Sequence, residues 1–144
     1  MQQNKRKYGF TLIELLVVIV IIGVLAAVVG PRLFGRTEQG KIAAARAQIE
    51  NLSMALDNYQ LDNGNFPSTE QGLKALLERP SGKPSANNWR GPYLKTQEMP
   101  VDPWSSPYLY ISPGKVHPQW YDLLSYGKDG REGGDGDNAD IGNR

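Results

Sequence analysis

Five acids are crowded near the end of the chain. Asp129, Glu132, Asp135, Asp137 and Asp140 lie within residues 127–142, together with six glycines. Carboxylate oxygens bind hard cations such as Ca²⁺, and glycine lets the backbone turn so that carbonyls point at the ion too. The spacing does not match an EF-hand, which needs a distal bidentate Glu. Two carboxylates ~4 Å apart repel by about 4 kcal/mol at an effective dielectric of 20. Three converging acids would therefore force the segment open unless a cation sat between them. On the residues alone two states remain: a solvated, flexible end, or a loop closed on metal.

Other reactive side chains are scarce. His117 is the single histidine and stands between Val116 and Pro118, in a segment that reads as a loop. There is no cysteine. A Ser-His-Asp set would have to use that one histidine, and no glycine-rich loop leads into a helix with Lys-Ser/Thr. The expectation is a protein that is not an enzyme. A basic patch with interleaved aromatics, the footprint of nucleic-acid binding, is also missing. Trp89, Tyr93 and Trp104 could form a sugar platform, but no polar cluster accompanies them. They are expected to pin a long loop to the domain.

Glu14 is the remaining oddity. From Phe10 to Val29 there are twenty residues, and Glu14 carries their single charge. At ~1.5 Å per residue that run spans roughly 30 Å, the thickness of a bilayer core. A carboxylate at the centre of such a segment costs roughly 2.5–3.5 kcal/mol on insertion scales, and less near its end. Glu14 either snorkels to the headgroups or pairs with a cation that arrives inside the membrane. Lys5, Arg6 and Lys7 precede the run and should hold the amino end in the cytoplasm. A signal peptide ending near Ala26-Ala27 is the structural rival. The early charge, and apolar residues continuing to Val29, count against it.

Several elements must position these groups. Ile42, Ala45, Ile49, Leu52, Leu56 and Tyr59 recur every three or four residues, which predicts an amphipathic helix over 41–61. Joined to the membrane segment it would measure roughly 75 Å, with Gly30-Pro31, Gly35 and Gly40 as places for a bend or break. Gly64 suits a left-handed cap at its end. Ser68 with Gln71 reads as a capping box for a short second helix bearing Leu73, Leu76 and Leu77, stopped by Pro80-Ser81-Gly82. Residues 81–107 are loop-like. Pro107–Ile111 and Tyr121–Tyr126 read as two strands, in a loose hairpin or part of a three-stranded sheet.

Gly9-Phe10-Thr11-Leu12-Ile13-Glu14, with the apolar run behind it, resembles the N-terminus of type IV prepilins. The resemblance implies that a prepilin peptidase cuts after Gly9 and N-methylates Phe10. It also implies that Glu14 meets the free amine of a neighbouring subunit, and that the helix loosens around Gly23 and Pro31 inside a filament. Removing residues 1–9 takes away three cations, leaving side chains at 13 − 15 = −2 from the 16 basic and 15 acidic residues of the whole chain.

Asp62-Asn63-Gly64, Pro67-Ser68-Thr69-Glu70-Gln71-Gly72-Leu73, Pro100-Val101-Asp102-Pro103-Trp104, Gly127-Lys128-Asp129-Gly130 and Ala139-Asp140-Ile141-Gly142 resemble the major pseudopilins of type II secretion systems. Nearly the whole mature chain is covered. Type IVa pilins typically close their C-terminal region with a Cys pair that has no counterpart here. The resemblance implies an α+β, type IV pilin-like fold, in which a long N-terminal helix packs on a small head with a short antiparallel sheet. Its parts would be a leader (1–9), a membrane or filament-core helix (10–30), its amphipathic continuation (31–61) and a periplasmic head (62–144). It also implies Ca²⁺ in the acidic tail, held by Asp129, Asp140 and a third carboxylate, Asp137 ahead of Asp135, with the Tyr126 backbone carbonyl. The ion would staple a small core that has no disulfides. Expected partners are copies of itself, minor pseudopilins, the prepilin peptidase and an inner-membrane platform driven by a cytoplasmic ATPase. The chain would start as a single-pass inner-membrane protein and end in a periplasmic filament that helps drive folded exoproteins through the outer-membrane secretin. The alternatives are a subunit of an adhesive or DNA-uptake pilus, and a membrane-tethered enzyme or receptor that never polymerises.

Overall fold

The computed structural model describes residues 9–143, with the backbone alone for residues 31–35. The leader cations Lys5, Arg6 and Lys7 lie outside the described residues, as does the side chain of Pro31. The chain divides into two compact units, the first ending at Thr37 and the second beginning at Glu38.

Helix α1 runs Leu12–Asn63. Its first turn is closed by a Thr-x-x-Glu capping box, which was not among the sequence-based expectations. The Thr11 N–H and hydroxyl both donate to Glu14 Oε2 at 2.9 Å, and the Glu14 N–H donates to Thr11 Oγ1 at 3.3 Å. The reciprocal bonds satisfy N–H groups that a helix start leaves orphaned. Leu12–Gly30 is long and apolar enough to cross a membrane, and none of it is buried. No break appears at Gly35 or Gly40: the residues from Gly30 to Gly40 stay helical. A proline removes one hydrogen bond from the ladder, and neighbouring turns can hold the remainder.

In the second unit the predicted stripe faces the core. Ala45, Ile49, Leu52, Leu56 and Tyr59 are buried, with Ala55 beside them, and Ile42 packs at the margin. They meet Leu73, Leu76, Tyr108, Tyr110, Tyr121, Leu123 and Ile141. Gly64 ends α1 at φ +80, with its N–H on the Gln60 carbonyl at 2.7 Å. The Ser68–Gln71 box forms: the Ser68 N–H donates to Gln71 Oε1 at 3.0 Å and the Gln71 N–H to Ser68 Oγ at 3.2 Å. It closes a turn rather than starting an α-helix. The expected second helix is a single 3₁₀ turn, Leu73–Leu76. Gly72 at φ 60, ψ −170 interrupts the helical path just before it, leaving too few residues for an α-helix.

The sheet has three antiparallel strands in the order β1 (Leu109–Ile111), β2 (Asp122–Ser125), β3 (Ile141–Gly142). Leu109 pairs with Leu124 and Ile111 with Asp122; Ser125 pairs with Ile141. Both predicted strands are shorter than expected, and the acidic tail supplies the third. The long loop is pinned by its aromatics, as read from the sequence. Trp89 Nε1 donates to the Ala75 carbonyl at 2.9 Å, Tyr93 OH to Asp62 Oδ2 at 2.8 Å and Trp104 Nε1 to Glu38 Oε2 at 3.2 Å.

Candidate functional site

The first group of predicted site residues lies at the amino end. Gly9 and Phe10 precede α1 and are exposed. Glu14 Oε2 takes both Thr11 donors, while Oε1 has no partner among the described residues. The large apolar side chains from Leu12 to Val29 are all roughly half or more exposed. Gly23 has open space where a Cβ would stand, so its surroundings do not demand glycine. Among the described residues nothing covers this segment, which carries one carboxylate near its start and apolar side chains on every side.

The second group lies in the tail, a loop tied by hydrogen bonds at both ends. At its start, the Gly127 N–H donates to Ser125 Oγ at 3.0 Å. At its end β3 pairs with β2, and Asn143 continues the pairing with its side chain. Asn143 Oδ1 accepts from the Leu123 N–H at 2.9 Å and Asn143 Nδ2 donates to the Tyr121 carbonyl at 3.1 Å. Between these ends Gly127 (φ +65) and Gly134 (φ +85) run close to the backbone of Asn138 and Ala139. A Cβ on Gly127 would come within 2.9 Å of the Ala139 carbonyl oxygen, and one on Gly134 would overlap the Asn138 carbonyl. Two short 3₁₀ turns, Gly127–Asp129 and Gly136–Asn138, pack on each other here.

Within this loop the five acids are not equivalent. Asp140 is half-buried: Oδ2 accepts the Gly133 N–H at 2.9 Å, while Oδ1 is shielded from solvent with no hydrogen-bond partner. Leaving such an oxygen unsatisfied costs about 1–3 kcal/mol, and more when it is charged. Asp129, Asp135 and Asp137 are exposed; Asp129 Oδ1 accepts the Arg131 N–H at 3.1 Å. No three His, Cys, Asp or Glu side chains converge on one point among the described residues. Asp140 Oδ1 is the one shielded oxygen here that lacks a hydrogen-bond partner among the described residues, and the other tail acids do not converge on it.

His117 closes a turn. Asp122 is buried, and three N–H groups converge on its carboxylate: Val116 N–H at 2.9 Å, His117 N–H at 3.2 Å and the His117 ring nitrogen Nδ1 at 3.1 Å. Burial alone would raise the Asp122 pKa. Bonds from the Val116 N–H, the His117 ring and the His117 N–H outweigh it and hold the carboxyl below its usual 3.8.

Asp102, in sequence only one member of a motif, is buried and ties two segments together. Its Oδ1 accepts the Trp104 N–H at 3.0 Å and the Ser106 N–H at 2.8 Å, and Oδ2 accepts the Ser125 hydroxyl at 2.5 Å. Burial, and then the charge of Asp102, push the Tyr108 hydroxyl up to about 12. The sequence signal for Asp102 is the turn chemistry of Asp-Pro with serines after it; nothing in it points to Ser125.

Comparison with known proteins agrees with this architecture. The family described as type II secretion system (T2SS), protein G, matches residues 32–144, and the prokaryotic N-terminal methylation motif matches residues 4–30. The chain is 49% identical over 142 residues to the type II secretion system core protein G of Pseudomonas aeruginosa, covering 98% of this chain and 97% of that one. With its counterpart in Vibrio cholerae the identity is 43% over 143 residues, covering 99% and 95%. The crystal structure of the major pseudopilin from the type 2 secretion system of enterohaemorrhagic Escherichia coli aligns with a TM-score of 0.65 at 34% identity, covering 78% of this chain and 94% of that one.

Proposed function

The chain belongs to the type II secretion system protein G family, the major pseudopilins, and from that premise we propose how it is processed, stored and assembled. It is a subunit of the pseudopilus, and its assembly involves other components of the secretion system. Its N-terminal apolar helix is consistent with membrane anchoring and with periplasmic exposure of the rest.

The prepilin peptidase cuts after Gly9 and methylates Phe10, separating the leader (1–9) from a membrane helix (10–30), its continuation (31–61) and a periplasmic head (62–144). Before assembly the exposed apolar side chains of α1 are solvated by lipid. On leaving the bilayer they pack against copies of the same helix, which replaces lipid contacts with protein contacts. Glu14 then compensates the Phe10 amine of a neighbour. Its Oε1, left free by the capping box, supports that role. An unpaired charge in such an environment is expensive, so pairing rejects wrong register. Local loosening of the helix around Gly23 and Pro31 lets stacked subunits adjust. An inner-membrane platform and a cytoplasmic ATPase drive growth, minor pseudopilins join the filament, and its advance pushes folded exoproteins through the secretin. The subunit is structural rather than catalytic.

Ca²⁺ in the tail would be held by Asp140, by Asp129 and Asp137 (or Asp135), and by the Tyr126 carbonyl, once the exposed acids were drawn inward; the unpartnered Asp140 Oδ1 supports this reading. Bound Ca²⁺ would supply positive charge that draws carboxylate and carbonyl oxygens together. Chelation should then lower the melting temperature and expose the tail to protease; no response to chelation would return the tail to an ordinary solvated loop.

The observation that carries the assembly reading is the unpartnered apolar length of Leu12–Gly30 with one carboxylate at its start. Glu14→Ala subunits should enter the membrane but assemble slowly, giving few filaments and a secretion defect. Assembly at the normal rate would refute the pairing. Long surface fibres at native expression, with secretion intact after deletion, would point instead to an adhesive or DNA-uptake pilus.

A further inference from the structure

The three tryptophans are used differently. Trp89 and Trp104 are half-buried, and each spends its indole N–H on a partner, the Ala75 carbonyl and Glu38 Oε2. Trp120 is 63% exposed, and its indole N–H has no partner among the described residues. Its backbone is nevertheless fixed. The Trp120 N–H donates to the His117 carbonyl at 2.9 Å, and the Trp120 carbonyl accepts the Gly114 N–H at 3.1 Å. The buried Asp122 carboxylate holds Val116 and His117 in the same turn. A well-tied loop therefore keeps a large aromatic ring in water.

Trp120 borders an open cleft of about 390 Å³ between the end of α1, the turn around Ser68 and the loop 112–120. Phe66 lines it as well, its ring edge-on to Tyr121 at 4.9 Å between centroids. Gln60 and Gln119 stand at the cleft with exposed side chains that make no hydrogen bond among the described residues. None of the lining residues is charged, although 22% of the chain is. The walls are tied together. The Ser112 N–H donates to Thr69 Oγ1 at 2.8 Å, and the Thr69 N–H to the Ser112 carbonyl at 3.3 Å. Tyr110 OH donates to the Pro67 carbonyl at 2.8 Å beneath them. A ligand entering a shape that is already formed loses little to ordering.

We propose that this cleft binds an uncharged saccharide, with one sugar ring stacked on Trp120 and its hydroxyls on the Gln60 and Gln119 amides. A pyranose has a face of C–H groups and a rim of hydroxyls that both donate and accept. Tryptophan supplies a flat apolar face with a polar N–H at its edge, and a glutamine amide both donates and accepts. A charged ligand would find no opposite charge here. The volume lies within the roughly 300–1,000 Å³ of small-molecule sites. One exposed ring falls well short of the ~800 Å² that a stable protein partner covers on each side. Trp89, Tyr93 and Trp104 have no such polar cluster beside them; Trp120 does. The site depends on neither the tail loop nor Glu14.

The test uses the purified, isotope-labelled full chain in a detergent without a sugar headgroup. The probes are chitotetraose and cellotetraose, one N-acetylated and one not. NMR follows the indole N–H signals of the three tryptophans and the backbone N–H of Gln119. The expected result is a saturable shift of the Trp120 indole with at least one probe, while the Trp89 and Trp104 indoles stay in place. Gln119→Ala should weaken binding by about 2–10-fold, the loss of one hydrogen bond. Trp120→Ala removes an exposed ring and leaves the core intact; read on the Gln119 N–H, it should weaken binding by about tenfold or more. No shift with either probe, equal shifts of all three indoles, or undiminished binding by Trp120→Ala would overturn the proposal. If the wild type ignores both sugars while Trp120→Ala subunits assemble poorly, the face is a protein contact and the saccharide site is refuted.

Discussion

Asp122→Asn should destabilise the head by an amount that vanishes in acid. The Asp122 side chain is only 1% exposed and accepts three N–H groups: one on Oδ2 from Val116, two on Oδ1 from the His117 backbone and ring. An asparagine must put its NH₂ at one of those two places. Placing it at the Oδ2 site loses one bond; placing it at Oδ1 loses two. The cheaper arrangement sets two donors face to face and removes one hydrogen bond to a charged group, worth roughly 1.5–3 kcal/mol. At roughly 4 °C per kcal/mol for a domain of this size, the melting temperature should fall by about 6–12 °C at pH 7. The pH dependence comes from the direction of the shift. A carboxyl held below 3.8 in the folded state contributes stability above its unfolded value and loses it as pH falls through the folded value. A protonated Asp122 also has one donor and one acceptor, like asparagine. The gap between the two proteins should therefore be full at pH 6–7 and close below about pH 4. The tryptophan bands of near-UV circular dichroism read the head alone, because all three tryptophans, Trp89, Trp104 and Trp120, are in it. Equal melting at pH 7, or a gap that persists undiminished at pH 3, would refute the three-donor account of this carboxylate.

Other consequences can be checked with the same preparation. Tyr110→Phe removes a buried hydroxyl that donates to the Pro67 carbonyl at 2.8 Å; leaving that carbonyl without its donor should cost about 1–3 kcal/mol in chemical denaturation. Leu76→Ala opens a cavity at a fully buried position between α1 and the loop and should cost about 2–5 kcal/mol. Ser68→Ala breaks one half of the turn's reciprocal box and should cost about 0.5–2 kcal/mol, with Gln71 still tied to the Pro84 carbonyl at 2.9 Å.

Sequence periodicity reveals what is periodic. The apolar run and the stripe from Ile42 to Tyr59 are legible because a helix repeats its buried face every three or four residues. Gly64 is legible because few residues accept its torsion. The β3 strand is not: Ile141-Gly142 is two residues long, too short for alternation to show, and its pairing is completed by the Asn143 side chain. Ser68 and Gln71 point to the right hydrogen bonds but the wrong element, since the torsion of Gly72 turns the chain away from an α-helical path. Thr11 and Glu14 have the spacing of a capping box, but the charge of Glu14 in an apolar run is the louder signal. In the tail, composition leaves a solvated end and a loop closed on metal both open. Which acid faces inward depends on the folded loop, and there Asp140 alone among the acids has a shielded, unpartnered oxygen. The link from Asp102 to Ser125 joins residues 23 apart through side chains, with no repeat to announce it.

The proposed processing, storage and assembly of this subunit all begin at the Gly9–Phe10 bond, and intact-mass spectrometry of the native protein from membranes examines it directly. The mass should correspond to a chain starting at Phe10 with one added methyl group. A chain that starts at Met1, or one trimmed near Ala27 and freely soluble, would contradict it.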